Sequence, residues 1–217
     1  RPGAAGPALC RCARALRRLF DQGLEIVSGS VHCQAAGAEV VACPVVAGLQ
    51  NVGIGAQGAV RHAAGRALEE AVARLPKPLE PLSVVLVPGG PLARHVALTV
   101  TELPLSMWQG VRAEDRCHHI VRFLGRLHAG LLQTVREAGC RNLAMPTLCT
   151  GGMGVPVEMV AIAAVRTVHE DFCKHPADPL RVRVACYEAD HIPSFKMTKD
   201  VALERFFEPE DDLDETA

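Results

Sequence analysis

Apolar residues recur along this chain with two periods, one near 3.6 and one short and nearly continuous, and the two alternate. Residues 9–20 place Leu9, Cys12, Ala13, Leu16, Leu19 and Phe20 at helical spacing with arginines between them. Gly23 ends that helix, residues 24–27 read as a short strand, and Gly29-Ser30 turns the chain. Residues 38–43 form a second apolar strand that Pro44 is expected to close. A loop with Gly48, Gly53, Gly55 and Gly58 follows, then a predicted helix over 59–75 marked by Val60, Ala64, Leu68, Val72 and Leu75.

Residues 77–81 carry two prolines and read as a surface linker. Strands at 83–87 and 96–101 flank Pro88-Gly89-Gly90-Pro91, the pattern of a hairpin or of a mixed sheet. Residues 104–110 are irregular and hold Trp108, expected to cap the core. The longest helix is predicted over 114–138, with His118, His119 and His128 expected to be solvated or capped, and Gly139 as its stop. A strand at 142–145, a helix at 157–172, a strand at 181–187 and a short helix at 201–207 complete the chain. Strands and helices alternating through short connections predict a three-layer α/β/α sandwich around a mixed, mostly parallel sheet.

Between the strand at 142–145 and the helix at 157 lies Pro146-Thr147-Leu148-Cys149-Thr150-Gly151-Gly152-Met153-Gly154-Val155-Pro156. Successive glycine N–H groups before a helix N-terminus can face inward and meet an anion, although the same residues also serve a ligand-free tight turn. The loop after residue 43 is a second strand, glycine loop and helix unit. In parallel sheets ligands sit beyond the carboxyl ends of strands. Two such loops at one crevice would suit a diphosphate better than a single phosphate.

Composition narrows the class without naming a function. The 217 residues are 49% hydrophobic and 22% charged, as in an ordinary globular protein. No apolar run approaches the roughly 20 residues that span a bilayer. Nine scattered cysteines fit free thiols in a reducing, intracellular setting, cytoplasmic or nuclear, better than a disulfide framework. Neither Cys10-Arg11-Cys12 nor Cys117-His118-His119 has a partner at zinc-finger spacing, so no metal is expected. Six acidic residues between Glu208 and Glu215 leave the remainder net basic, with Arg11, Arg14, Arg17 and Arg18 near the start. That helix lacks interleaved aromatics, so nucleic-acid contact would be nonspecific and salt-sensitive. The expected organisation is a basic N-terminal extension with a helix (1–23), one domain (24–207) and an acidic flexible tail (208–217).

The order of Gly29-Ser30-Val31, the loop over 43–60, the turn Val87-Pro88-Gly89-Gly90 and the loop over 146–156 resembles that of the macrodomains. These are α/β/α modules that bind ADP-ribose, and some of them remove ADP-ribosyl groups. The resemblance covers residues 24–190 and is most specific at Gly55-Ala56-Gln57-Gly58-Ala59-Val60-Arg61-His62 and at 146–156. It implies that Thr150, Gly151, Gly152, Met153 and Gly154 offer N–H groups to phosphate oxygens. It implies further that Gly53, Ile54 and Gly55 form the facing loop, that Gly29, Ser30 and Val31 lie near adenine, and that Tyr187 stacks on it. ADP-ribose is then the ligand, with no cofactor besides it.

The departures from the family bear on catalysis. Ser30 stands where the family commonly has an Asp, Cys43 and Val46 where it has asparagines, and Ala56 or Gln57 where hydrolases carry an Asp. Asn51, Gln57 and His62 remain as catalytic candidates near the distal ribose. Of these, Gln57 could position a water but cannot act as a base, and only His62 has a suitable ordinary pKa. Three readings follow: a module binding ADP-ribose or ADP-ribosylated protein, an ADP-ribosyl hydrolase with a non-standard water-positioning residue, or a degenerate macrodomain used for protein interaction.

Overall fold

The computed structural model describes residues 7–102, 112 and 115–205, with side chains from residue 14 to residue 204. Trp108 and the acidic stretch over 208–215 lie outside the described residues. Twelve elements follow in the order α1 (Pro7–Gly23), β1 (Leu24–Ser28), β2 (Val40–Val45), α2 (Gly55–Ala64), α3 (Arg66–Ala73), β3 (Val84–Pro88), β4 (His95–Val100), α4 (Arg116–Glu137), β5 (Asn142–Pro146), α5 (Val157–Lys174), β6 (Arg181–Cys186) and α6 (His191–Arg205). The six strands form one sheet in the order β1-β6-β5-β2-β4-β3. All neighbours are parallel except the edge pair β3–β4, so the sheet is mixed and mostly parallel, as the pattern predicts.

Alternation along the strands splits the core in two. Val40, Ala42, Ala97, Leu143, Met145, Val182 and Val184 pack on one face with Phe20 of α1, Phe195 of α6 and the apolar sides of α4 and α5. Val41, Cys43, Val45, Val96, Leu98 and Val100 pack on the other with Val60, Ala64, Leu68 and Val72 of α2 and α3. A buried parallel sheet needs both faces covered, which gives the three layers. Phe20 meets Phe172 edge to face at 5.6 Å.

Four local expectations are corrected. Pro44 does not close β2, which runs to Val45. The Val45 carbonyl accepts from Thr101 N–H on the β4 side, so Pro44 faces the β5 side, where pairing has already stopped at Val41–Ala144. The missing proline N–H therefore costs no ladder bond. The helix predicted over 59–75 begins earlier, at Gly55, and breaks at Gly65, whose φ of 67° is left-handed. The closing helix begins at His191, ten residues before the expected start, because Pro193 falls in its first turn, where a missing N–H is harmless.

His128 is the fourth correction, being fully buried in α4 rather than solvated. Its Nδ1–H donates to the Leu124 carbonyl at 2.7 Å, and its Nε2 has no partner among the described residues. Burial pushes its pKa down to about 4 from 6.5, outweighing that hydrogen bond. Glu39 holds β2 to the start of β5, accepting from Arg141 N–H at 2.7 Å, Asn142 N–H at 3.1 Å and Asn142 Nδ2 at 3.1 Å. The Arg141 N–H first, then the other donors, keep its carboxyl below the ordinary range.

Both groups make the fold acid-sensitive. The unfolded chain protonates its histidine near 6.5 and the folded chain refuses that proton until about 4, so stability is full above this window and falls as pH drops through it. The Glu39 contribution is present above the ordinary carboxylate range and is lost as pH falls below it. Urea unfolding should show a loss of roughly 3 kcal/mol from His128 across its window. His128→Leu should flatten that slope, and an unchanged slope would contradict the assignment.

Candidate functional site

The sheet order places a switch in chain direction between β5 and β2. From β5 the chain passes through α5 to β6 on one side, and from β2 it passes through α2 and α3 to β3 and β4 on the other. The two strands pair only at Val40–Leu143 and Val41–Ala144, while β5 stays paired with β6 through Pro146–Ala185. Their carboxyl ends therefore part, and a crevice opens where open α/β sheets receive ligands. The loops over 46–54 and 147–156 flank it, and the N-termini of α2, α5 and α6 lie at the same end of the sheet with their positive dipole ends.

The 147–156 loop is held from within. Thr150 Oγ1–H donates to the Thr147 carbonyl at 2.9 Å, Val155 N–H to Cys149 carbonyl at 3.1 Å, and Gly154 N–H to Gly151 carbonyl at 2.8 Å. Cys149 carries the turn at φ 70°, with its buried thiol 3.8 Å from the Thr101 carbonyl at the end of β4. Such a left-handed position costs a residue with a Cβ about 1–2 kcal/mol. The N–H groups of Gly151, Gly152 and Met153 find no acceptor among the described residues. Of the five donors the resemblance implies, Gly154 is already engaged with Gly151, and Thr150 N–H reaches the Thr147 carbonyl only at 3.5 Å.

Gly151 and Gly152 are not explained by the protein. Neither has a positive φ, and a Cβ at either would meet nothing within 4 Å. Gly58 is the contrast, since a Cβ there would lie 2.4 Å from the backbone of Gly53. Its absence lets α2 press against the 46–54 loop.

That facing loop is braced from α2. Gln57 is 6% exposed, and its Oε1 accepts from Val52 N–H at 3.3 Å while its Nε2 donates to the Gln50 carbonyl at 2.9 Å. Arg61, also buried, donates Nη1–H to the Leu49 carbonyl at 3.0 Å and is held by Glu69 through Nε at 2.7 Å. The hydrogen bonds with Glu69 raise the Arg61 pKa and lower that of Glu69, so the pair stays charged. Asn51 Oδ1 accepts from Gly53 N–H at 2.9 Å within its own loop. The amides of Ile54 and Gly55 have no acceptor among the described residues.

These contacts show where the catalytic candidates stand. Gln57 is a brace whose carboxamide is committed to loop backbone at both ends, so it is not placed to hold water in the crevice. His62 is exposed, on the side of α2 away from its buried residues Gln57, Val60, Arg61 and Ala64. Asn51 is exposed and engaged with Gly53. Cys43 and Cys149 are buried, and burial pushes both thiols up to about 12, so neither supplies a thiolate. The 46–54 and 147–156 loops contain no Asp, Glu, Lys, Arg or His. They offer hydrogen-bond donors and no group that exchanges a proton near neutral pH.

The remaining candidates lie on the far side of the crevice. Gly29 N–H donates to the Cys186 carbonyl at 2.8 Å, joining the end of β1 to the end of β6. Tyr187 follows at once and is 74% exposed, so its ring is free to stack. Ser30 is half-buried with Oγ 2.7 Å from His32 Nδ1, and the Val31 side chain is buried in the core, leaving only its backbone for a ligand. From β1 to β2 there are three strand spacings, about 14 Å across the trough. Sequence reasoning missed His191, whose Nδ1 lies 3.4 Å from Thr147 Oγ1, which in turn is 2.9 Å from Thr150 Oγ1. Finding it required knowing that α6 begins there.

Known proteins match this architecture. The family model described as Macro domain matches residues 46–164. An O-acetyl-ADP-ribose deacetylase of Enterobacter sp. (strain 638) is 30% identical over 148 residues, 64% of this chain and 74% of that protein. An uncharacterised protein of Thermoplasma acidophilum is 32% identical over 145 residues, 64% of this chain and 68% of that protein. The Oceanobacillus iheyensis macrodomain with ADP superposes with a TM-score of 0.70 at 22% identity, covering 84% of this chain and 92% of that one. The Trypanosoma brucei macrodomain in complex with ADP gives 0.69 at 17%, covering 91% of each. The last two show a shared fold, and together with the family match they lead to one conclusion: the chain belongs to the Macro domain family.

Proposed function

We propose that the protein is an intracellular binding module for ADP-ribose, free or attached to protein, that holds the diphosphate through backbone N–H groups of two facing loops. The observation that carries this reading is the pair Gly151 and Gly152, glycines that no packing among the described residues requires, beside three consecutive N–H groups with no acceptor among those residues. An anion approaching the backbone closely accounts for both features. The similarity to a protein named O-acetyl-ADP-ribose deacetylase, and to macrodomains solved with ADP, supports the same ligand class. In this reading the adenine lies at the β1 and β6 end beside Ser30 and Tyr187, the diphosphate between the two loops, and the distal ribose over the N-terminus of α2.

Geometry favours holding over transforming. Hydrolysis needs a group to orient or deprotonate water or to take the sugar covalently. Gln57 is committed to the loop, and His62 faces solvent. The degenerate reading would have Val46, Leu49 and Met153 fill the pocket, and Val46 is half-buried. Leu49 is packed in the core and Met153 is exposed at the rim.

Titration calorimetry with ADP-ribose should give a micromolar-class Kd, about −8 kcal/mol. ADP should keep most of that affinity, and AMP, lacking the diphosphate, should lose about tenfold or more. Gly152→Val should weaken ADP-ribose binding about tenfold or more with Tm changed by less than about 3 °C, because the new side chain meets ligand space and not protein. No heat at millimolar ligand, or a variant that binds like the parent, would reject the reading.

Gln57→Ala separates brace from catalyst. Losing both loop hydrogen bonds should weaken ADP-ribose binding and cost about 1–3 kcal/mol of stability. A variant that binds normally while losing turnover of a mono-ADP-ribosylated protein would restore the catalytic role.

A further inference from the structure

The turn after β1 carries a set of hydrogen-bonded side chains of which the proposed ADP-ribose site uses only Ser30. Cys33 N–H donates to the Ser30 carbonyl at 3.0 Å, Gln34 N–H to the same carbonyl at 3.2 Å, and Gln34 Nε2 to the Ser28 carbonyl at 2.9 Å. In this fixed turn the His32 ring lies between two side chains. Its Nδ1 is 2.7 Å from Ser30 Oγ and its Nε2 is 3.3 Å from Cys33 Sγ. With Nδ1–H donating to the hydroxyl oxygen, Nε2 presents its lone pair to the thiol. A nucleophile, a base within hydrogen-bond reach and a third group orienting the base is the arrangement that activates a weak nucleophile.

The other described thiols differ. Cys43, Cys140, Cys149 and Cys186 are buried, and burial raises all four pKa values. Cys173 is exposed, but partial burial and the Glu170 charge raise its pKa, and its contact with His169 Nε2 is longer, at 3.7 Å. Cys117 is exposed, with no hydrogen-bond partner among the described residues. Cys33 alone among the described thiols combines exposure with an imidazole nitrogen held at 3.3 Å.

We propose that Cys33 is a modification site for soft carbon electrophiles, with His32 accepting the thiol proton and Ser30 orienting the imidazole. The sulfur forms a bond to the electrophilic carbon, and the leaving group departs with the electron pair of the bond that breaks. The thiol proton passes to His32 Nε2 and on to solvent. Since Gly29 ties this turn to the end of β6, the adduct stands at the β1 end of the crevice. Because Ser30 also stands beside the adenine in the proposed function, the labelling is read on the ligand-free protein.

Limited alkylation of the full chain with iodoacetamide, read at each cysteine by peptide mass spectrometry, tests this. Cys33 should be labelled about tenfold or more faster than Cys117 and Cys173. His32→Gln should bring Cys33 down to the Cys117 rate, and Ser30→Ala, which keeps the imidazole but frees its orientation, should give an intermediate rate. Parent protein in which Cys33 reacts no faster than Cys117 would overturn the proposal, and this comparison needs no variant to fold. A folded His32→Gln protein with an unchanged Cys33 rate would overturn it equally.

Discussion

Val40 and Val41 pair with Leu143 and Ala144, and beyond those residues β2 and β5 go separate ways. The site depends on that parting. If the ladder continued, the loops after the two strands would close on each other and their amides would be satisfied by protein. As built, β5 keeps β6 as its neighbour and β2 keeps β4, so each loop is anchored on its outer side. Glu39 pins the amino end of this short pairing, since its carboxylate accepts from Arg141 and Asn142 at the start of β5.

Side chains around the crevice hold the backbone in shape, and the amides of Gly151, Gly152, Met153, Ile54 and Gly55 have no acceptor among the described residues. Gln57 and Arg61 bind carbonyls and an amide of the 46–54 loop from below. The two threonines and Val155 close the 147–156 loop on itself. On the proposed reading, the site would recognise charge and shape through fixed dipoles that need no reorganisation when an anion arrives. Neither loop carries an Asp, Glu, Lys, Arg or His, and burial pushes the Cys149 thiol up to about 12, so on the proposed reading the loops that would hold a diphosphate supply no acid or base to a ribose.

The layered fold was legible because strand and helix periods alternate cleanly, and β5, its glycine loop and α5 fall where the pattern puts them. Boundaries escaped where one residue carries a general rule that local context overrides. Pro44 reads as a stop, yet it points where no ladder bond is made, and the closing helix starts at His191 with Pro193 in its first turn. Glycine spacing marked the two loops, since a loop's course depends on its backbone. The roles of Gln57 and His62 depend on which side of α2 faces the sheet, and a pattern shifted by the early start at Gly55 did not convey that. His128 was missed for a related reason, because a histidine on a buried helical face looks the same in sequence as one on a wet face.

The central claim is that backbone N–H groups of both loops meet the diphosphate, and amide correlation spectra followed during titration with ADP-ribose address it residue by residue. The largest shifts should fall on Gly151, Gly152 and Met153 and, across the crevice, on Ile54 and Gly55, with the amino ends of the strands undisturbed. Saturable binding that leaves these five amides in place, or that moves residues at the amino ends of β1, β5 and β6 instead, would contradict the account.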